Sequence, residues 1–298
     1  MERRVLGKTG MQVTVLGFGG AEIGYENIAF DQVNRLLHAA LDAGLNVIDT
    51  AECYPGSEEM IGRAVSGRRK DFFLFTKCGH ASGLDLPDWD PRMLEMQIDR
   101  SLKRLRVDTV DLVQLHSCSR AILEKGDVIR VLENARDAGK ARFVGYSGDG
   151  QDALYAIGTG RFDTLQTSVS IADLEAIDLT LPRAAKRTMG VIAKRPIANV
   201  AWRWSSKPPS AYHHEYWGRL GKLRYDFLGE DLSQAVSIAL RFTLAQPAVA
   251  TAIVGTTNPE RWAANARLLE AGPLPASAIQ AIRERWHAVA ASDWVGQI

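Results

Sequence analysis

Apolar positions along the chain fall into short β-rich runs that alternate with stretches of helical spacing. Residues 13–18 (Val-Thr-Val-Leu-Gly-Phe) read as a first strand. Asp31 then stands where an N-cap would. Val33, Leu36, Leu37, Ala40 and Leu41 follow at i, i+3, i+4, i+7 and i+8, one face of a helix that Gly44 stops. Further strands are predicted over 46–49, 72–76, 110–115, 141–146, 164–167, 190–193 and 250–254. Helical patterns separate them over 57–65, 91–105, 128–138, around 153–157, and over 232–243, with Pro91 suited to the first turn of its helix. Eight strand–helix units in about 250 residues imply a parallel sheet closed on itself, a (β/α)8 TIM barrel, with 1–298 as a single domain. An open doubly wound sheet is the alternative. The one long irregular stretch, 199–230, carries Trp202, Trp204, Pro208, Pro209, Tyr212 and Trp217 and reads as a lid or binding loop. After Leu274 an extra C-terminal helix is predicted, ending near Ser292.

Composition narrows the class. Of 298 residues, 46% are hydrophobic and 24% charged, which argues against disorder or a fibre. A formal net charge of +1 gives no overall bias toward nucleic acid or an acidic membrane, and neither is expected as a partner. The apolar runs fall short of the roughly 20 residues a membrane span needs. Residues 1–7 lack the apolar core of a signal peptide. Three cysteines, Cys53, Cys78 and Cys118, make an odd set without CxxC spacing, as expected of reduced thiols in a cytoplasmic protein. The charge and the scattered tryptophans suit a monomer or a dimer equally.

Chemistry is expected where the strands end, because barrels of this class place their active sites at the C-terminal rim. Strand two ends in Asp49, with Tyr54 in the loop after it, strand three in Lys77, strand four in His116 and strand five in Ser147, while Gln166 lies near the end of strand six. Lysine beside a phenol favours the phenolate, and an aspartate would compensate the buried ammonium. A neutral imidazole would hold a carbonyl oxygen while the phenol delivers a proton. Taken singly, each residue also has a structural reading: an ion pair, a hydrogen-bonded histidine, a rim aromatic. Four on successive strands of one rim favour the chemical reading, and hydride delivery to a carbonyl is the reaction they suit. No metal is required, and no His-x-His closes the first strand as a metal-dependent hydrolase would need. His213-His214-Glu215 reads as solvated, His80 as a loop histidine or as an edge of the pocket, and Cys53 and Cys118 as packed thiols. Trp202, Trp204, Trp217 and Trp294 are candidates to wall or close a substrate pocket, with ordinary packing as the alternative.

Across nearly its whole length the chain resembles the aldo-keto reductases. Leu6-Gly7-Lys8-Thr9-Gly10 and Leu16-Gly17-Phe18-Gly19-Gly20 are similar to the family's N-terminal hairpin and first strand. Gly44-Leu45-Asn46-Val47-Ile48-Asp49-Thr50-Ala51, followed by Tyr54 and Gly56-Ser57-Glu58, resembles its most specific signature. Phe75-Thr76-Lys77 and Asp111-Leu112-Val113-Gln114-Leu115-His116 match the other two catalytic segments. The resemblance implies Tyr54 as general acid, Lys77 and Asp49 as its tuners, His116 as substrate orienter, and a small carbonyl compound as substrate. It also implies cofactor contacts at Gly19, Gly20, Asp49, Ser147, Gln166, Lys194, Arg195 and Ile197. Gly255-Thr256-Thr257-Asn258-Pro259-Glu260-Arg261, with Asn265, is similar to the family's loop for the adenosine 2′-phosphate and adenine. That loop opens a helix, whose N–H groups favour phosphate, and Arg261 adds a forked donor, so NADP(H) is expected over NAD(H). The chain departs from the family at Gly255, often a lysine, at Ala264, often an acid, at Gly148, commonly Asn after the serine, and at Lys194, where many relatives stack an aromatic on nicotinamide. Two other readings stay open: NAD(P)-dependent oxidation of a sugar or alcohol, and a nucleotide-binding regulatory subunit with slow turnover.

Overall fold

The computed structural model describes residues 1–229 and 231–297. Two antiparallel strands, β1 (Arg3–Val5) and β2 (Gln12–Thr14), form a hairpin with Arg3 opposite Thr14 and Val5 opposite Gln12. Eight parallel strands then close a barrel: β3 (Leu16–Gly19), β4 (Val47–Asp49), β5 (Phe73–Cys78), β6 (Val110–His116), β7 (Ala141–Ser147), β8 (Thr164–Ser168), β9 (Gly190–Lys194) and β10 (Val249–Gly255). They run in sequence order and β10 pairs back onto β3, so the (β/α)8 architecture predicted from the apolar pattern is the one observed.

The predicted strand over 13–18 divides at Val15. Its N–H donates to the Glu2 carbonyl in the hairpin (3.1 Å), while its carbonyl accepts from Ala252 in the barrel (2.8 Å). One apolar run therefore serves two sheets. The hairpin side chains Leu6, Met11 and Val13 pack with Val47, Phe75, Leu112, Ile192 and Ile253, filling the barrel interior with bulky apolar side chains. A second apolar layer lies between barrel and helices: Val33, Leu36, Leu37, Ala40 and Leu41, the stripe read from the sequence, are all buried there.

Helix boundaries follow local chemistry. Pro91–Leu105 starts behind Asp90, whose side chain accepts from the Arg92 N–H (2.9 Å), and stops at Arg106 in the left-handed region. Asp31 is not an N-cap. The helix runs Phe30–Asp42 behind Ala29, which places Asp31 in the first turn, where a carboxylate still complements the helix dipole.

The stretch expected to be irregular over 199–230 contains a ten-residue helix, His214–Leu223. Tyr216, Leu220 and Leu223 face inward at i, i+4 and i+7, and two glycines, Gly218 and Gly221, break up the rest of its pattern. Glu230, the last residue of that stretch, lies outside the described residues. The tail helix spans Ala276–Val289, ending short of Ser292. Trp286 and Trp294 then pack edge to face (5.4 Å) in a cluster with Tyr216, Leu220 and Leu223. Among the described residues no helix is long and apolar enough to cross a membrane.

Candidate active site

Strand register sets the polar rim. Gly19 lies beside Asp49, Lys77 beside Gln114, and His116 beside Ser147, which in turn neighbours Gln166. Lys77 Nζ donates to Asp49 Oδ2 (2.5 Å) and to the Thr50 carbonyl (2.7 Å), with the two side chains 1% and 3% exposed. Asp49 also accepts from Gln166 Nε2 (3.3 Å) and, at the limit of a hydrogen bond, from Gln114 Nε2 (3.5 Å). Gln114 donates to Gln166 Oε1 (2.7 Å), closing a buried knot of two amides and one ion pair.

Tyr54 sits above this knot. The Lys77 ammonium is 5.3 Å from its ring centroid, and the rings of His116 and Tyr25 meet it edge-on at 5.7 Å each. Its loop is fastened at several points. The Glu52 N–H donates to the Lys77 carbonyl (3.0 Å) and the Tyr54 N–H to the Ala51 carbonyl (3.1 Å). The Thr50 and Ser57 hydroxyls pair at 2.9 Å, and Ser57 donates to the Gly20 carbonyl (2.8 Å). Glu52 is buried and ion-paired with Arg104 (2.8 Å) and Arg100. The four residues singled out at the strand ends thus converge.

Electrostatics differ from the expectation at one point. Burial, reinforced by the Asp49 charge, pushes the Tyr54 phenol well above its ordinary range, so Lys77 does not lower it here. The ammonium is already engaged by Asp49, and desolvation of a phenolate outweighs what attraction is left. Burial also pushes the Asp49 carboxyl up, with Lys77 pulling against it. His116 is held well below the usual imidazole range, first by burial and then by the Lys77 charge, and is neutral. Its Nδ1 lies 3.4 Å from Cys53 Sγ, which leaves Nε2 free of that contact. A neutral phenol and a neutral imidazole side by side can both donate to one oxygen.

Two further residues belong here. The His80 ring stands edge-on to His116 (5.3 Å) and to Trp89 (5.2 Å). Cys53 is half-buried, its thiol pushed up to about 11 mainly by burial, and its partner lies 63 positions away. His213 packs on Trp204 (4.4 Å), and His214 Nε2 lies 2.8 Å from the Pro208 carbonyl. Among the described residues no group of three or more His, Cys, Asp or Glu is placed to hold a metal.

The residues assigned to a dinucleotide follow the rim from β7 round to β3. Ser147 is buried at the end of β7. Lys194 pairs with Asp149 (2.8 Å) and donates to the Gln297 carbonyl (2.9 Å), which Arg195 also contacts. Asp149 in turn accepts from the Ser168 N–H (2.6 Å) and Thr167 Oγ1 (2.7 Å), and this set of donors and the Lys194 charge hold its carboxyl low against burial. Ile197 is partly buried. In the next turn Ala198, Asn199 and Val200 are all left-handed, with φ of 43°, 53° and 51°, a costly state for a β-branched valine. Asn199 Nδ2 and Trp202 Nε1 are buried there without a hydrogen-bond partner. Farther round, the Thr257 carbonyl accepts from Gln32 Nε2 (2.7 Å), Thr256 Oγ1 accepts from the Asn258 N–H (3.1 Å), and a helix opens at Arg261, which is exposed, with Asn265 buried one turn on. The Gly20 N–H donates to the Asp49 carbonyl (2.7 Å), joining the Gly19-Gly20 turn to the same rim. Orphaned buried donors cost about 1–3 kcal/mol each, so two of them kept in the turn after β9 fit a rim that takes an anionic ligand.

The description of the Aldo/keto reductase family is matched over residues 15–287. The fold superimposes on the holo form of aldo-keto reductase AKR11C1 from Bacillus halodurans with a TM-score of 0.84, at 26% identity, over 99% of each chain. L-galactose dehydrogenase from Arabidopsis thaliana is 27% identical over 277 residues, 87% of this chain and 85% of that protein. D-threo-aldose 1-dehydrogenase from a Pseudomonas species is 27% identical over 296 residues, 86% of this chain and 89% of that protein. With the closed barrel and its polar rim, these matches make the chain a member of the aldo/keto reductase family and an NAD(P)H-dependent oxidoreductase.

Proposed function

We propose that the protein reduces an aldehyde or ketone to the alcohol with NADPH, Tyr54 giving the proton to the carbonyl oxygen. The observation that carries this reading is the buried Lys77–Asp49 pair at 2.5 Å directly beneath a phenol that also meets neutral His116 edge-on. NADPH, when bound, supplies the hydride to the carbonyl carbon. Tyr54 is kept protonated by burial and so has a proton to give at neutral pH. With Nδ1 turned to Cys53, His116 has Nε2 left to hold the substrate oxygen. As the proton leaves Tyr54, the Lys77 ammonium 5.3 Å from the ring centroid faces the phenolate that forms, its charge partly offset by its own partner Asp49.

Ser147 and Gln166 would hold the carboxamide, Asn199 and Trp202 would add donors for the phosphates, and the helix start at Arg261, with Asn265, would take the adenosine end. Lys194 and Arg195 join them if the Gln297 carbonyl releases them. The test is loss of absorbance at the reduced-nicotinamide band with NADPH or NADH over a panel of aromatic and sugar aldehydes. Faster loss with NADPH is expected. No loss with either nucleotide, although both bind, refutes the reductase reading.

A second reading is oxidation of a sugar hydroxyl by the same residues in reverse, Tyr54 then accepting the proton. It is favoured by the names of the Arabidopsis and Pseudomonas relatives, both sugar dehydrogenases. Higher kcat/KM for aldoses with the oxidised nucleotide than for aldehydes with the reduced one would select it.

A further inference from the structure

Where β10 ends against β3, a carboxyl group fills the place of a side chain that is not there. Gly255 is the last residue of β10 and pairs with Gly19 at the end of β3. A Cβ built on Gly255 would land on the Glu22 carboxyl. Glu22 follows β3 closely, in the short Ala21–Tyr25 helix, and is only partly buried. The two strand ends therefore bring an acid, and no cation from position 255, to the start of the 255–258 turn.

We propose that Glu22 is a specificity-determining residue that sets the choice between NADP(H) and NAD(H), by placing its carboxyl at the mouth of the turn assigned to the adenosine 2′ position. The inference rests on the dinucleotide reading above. A 2′-phosphate carries about −1.5 to −2 charge at neutral pH and is repelled by a carboxylate at this mouth. A ribose 2′-hydroxyl instead donates to the carboxylate in a charge-assisted hydrogen bond. Arg261, exposed at the first turn of the next helix, works the other way. The balance between them is adjustable because the charge on Glu22 is. Burial raises its pKa to about 7 against a backbone hydrogen bond, Glu26 at the C-terminal cap of its helix adds to the rise, Arg195 after β9 opposes it, and the facing residue of β10 is a glycine. The carboxyl is neutral on the acid side of that value and ionised on the alkaline side. Affinity for NADPH relative to NADH therefore falls as pH rises from 6 to 8.

The test is titration of tryptophan fluorescence with NADPH and with NADH at pH 6 and pH 8, for the wild type, Glu22→Gln and Glu22→Ala. For the wild type, the ratio of the NADPH Kd to the NADH Kd should rise about tenfold between the two pH values, the scale of one charge acting on a phosphate across a partly solvated gap. Glu22→Gln should tighten NADPH about tenfold at pH 8, leave NADH within about threefold, and remove most of the pH dependence. Because the 2′-phosphate itself gains charge near pH 6, the difference between wild type and Glu22→Gln isolates the carboxyl. Variants that keep the wild-type ratio at both pH values overturn the inference while leaving the cofactor reading intact. Failure of the wild type to bind either nucleotide overturns both.

Discussion

Replacing Lys77 by methionine leaves the Asp49 carboxyl buried with its main partner gone. Asp49 is 3% exposed at its side chain, and its remaining donors are the two glutamine amides at 3.3 Å and 3.5 Å. A carboxylate so placed escapes by taking up a proton. At pH 7, protonating a group whose unfolded pKa is about 3.9 costs about 4 kcal/mol, and at pH 5 about 1.5 kcal/mol. Loss of the hydrogen bond to the Thr50 carbonyl adds about 1 kcal/mol at either pH. The sign follows from burial raising the folded-state pKa of Asp49. The variant's native state holds a proton that the unfolded chain releases, so its stability falls as pH rises from about 4 toward 7. Urea unfolding of wild type and Lys77→Met at pH 5 and pH 7 should show a deficit near 5 kcal/mol at pH 7 and about 2.5 kcal/mol less at pH 5. Adding Asp49→Asn removes the stranded charge and should recover most of the pH 7 deficit. A deficit below about 1 kcal/mol, or one equal at both pH values with no recovery in the double variant, refutes the assignment of Lys77 as the counter-charge of Asp49.

Other consequences follow from the same packing. His116 is held below the imidazole's ordinary pKa, so the unfolded chain takes up a proton there below about pH 6.5 that the native state does not. His116→Gln should flatten the loss of stability between pH 6 and 4.5 by up to about 1.4 kcal/mol per pH unit in denaturant titrations, and an unchanged slope would rule out a neutral His116. Gly62, on the Ser57–Val65 helix behind the Tyr54 loop, lets two helices touch: a Cβ there would come within 2.6 Å of the Leu105 carbonyl carbon. Gly62→Ala should lower stability by about 1–3 kcal/mol in the same assay, and a neutral effect would contradict that contact. Trp294→Ala removes a ring packed on Trp286 at 5.4 Å and capped by the Arg219 guanidinium at 5.3 Å. It should cost about 3–5 kcal/mol and expose the tail to protease, whereas an unchanged melting curve with an intact tail would contradict that packing.

The barrel strands were readable because strands buried on both faces of a closed sheet show as continuous apolar runs. The reactive set was readable for a related reason: Asp49, Lys77 and His116 are polar residues at the C-terminal ends of strands read from the sequence. Other features lack a local signature. Val15 belongs to the same apolar run as both its neighbours, yet the chain changes sheet there. The His214–Leu223 helix buries its face against Trp286 and Trp294, and neither partner is near in sequence. Cys53 meets His116 only through folding, and Asp149, after β7, reaches past β8 to Lys194 at the end of β9. Glu22 was unreadable because what marks its site is a glycine, the absence of a side chain at position 255.

The central claim concerns one phenol. Tyr54→Phe keeps the ring that packs on His116 and Tyr25 and removes only the hydroxyl. The direct measurement is single-turnover oxidation of bound NADPH by an aldehyde that the wild type turns over, with nucleotide affinity measured alongside. Loss of about two to four orders of magnitude in the hydride-transfer rate, with nucleotide affinity unchanged, is the predicted result. A Tyr54→Phe protein that transfers hydride at the wild-type rate would contradict the account.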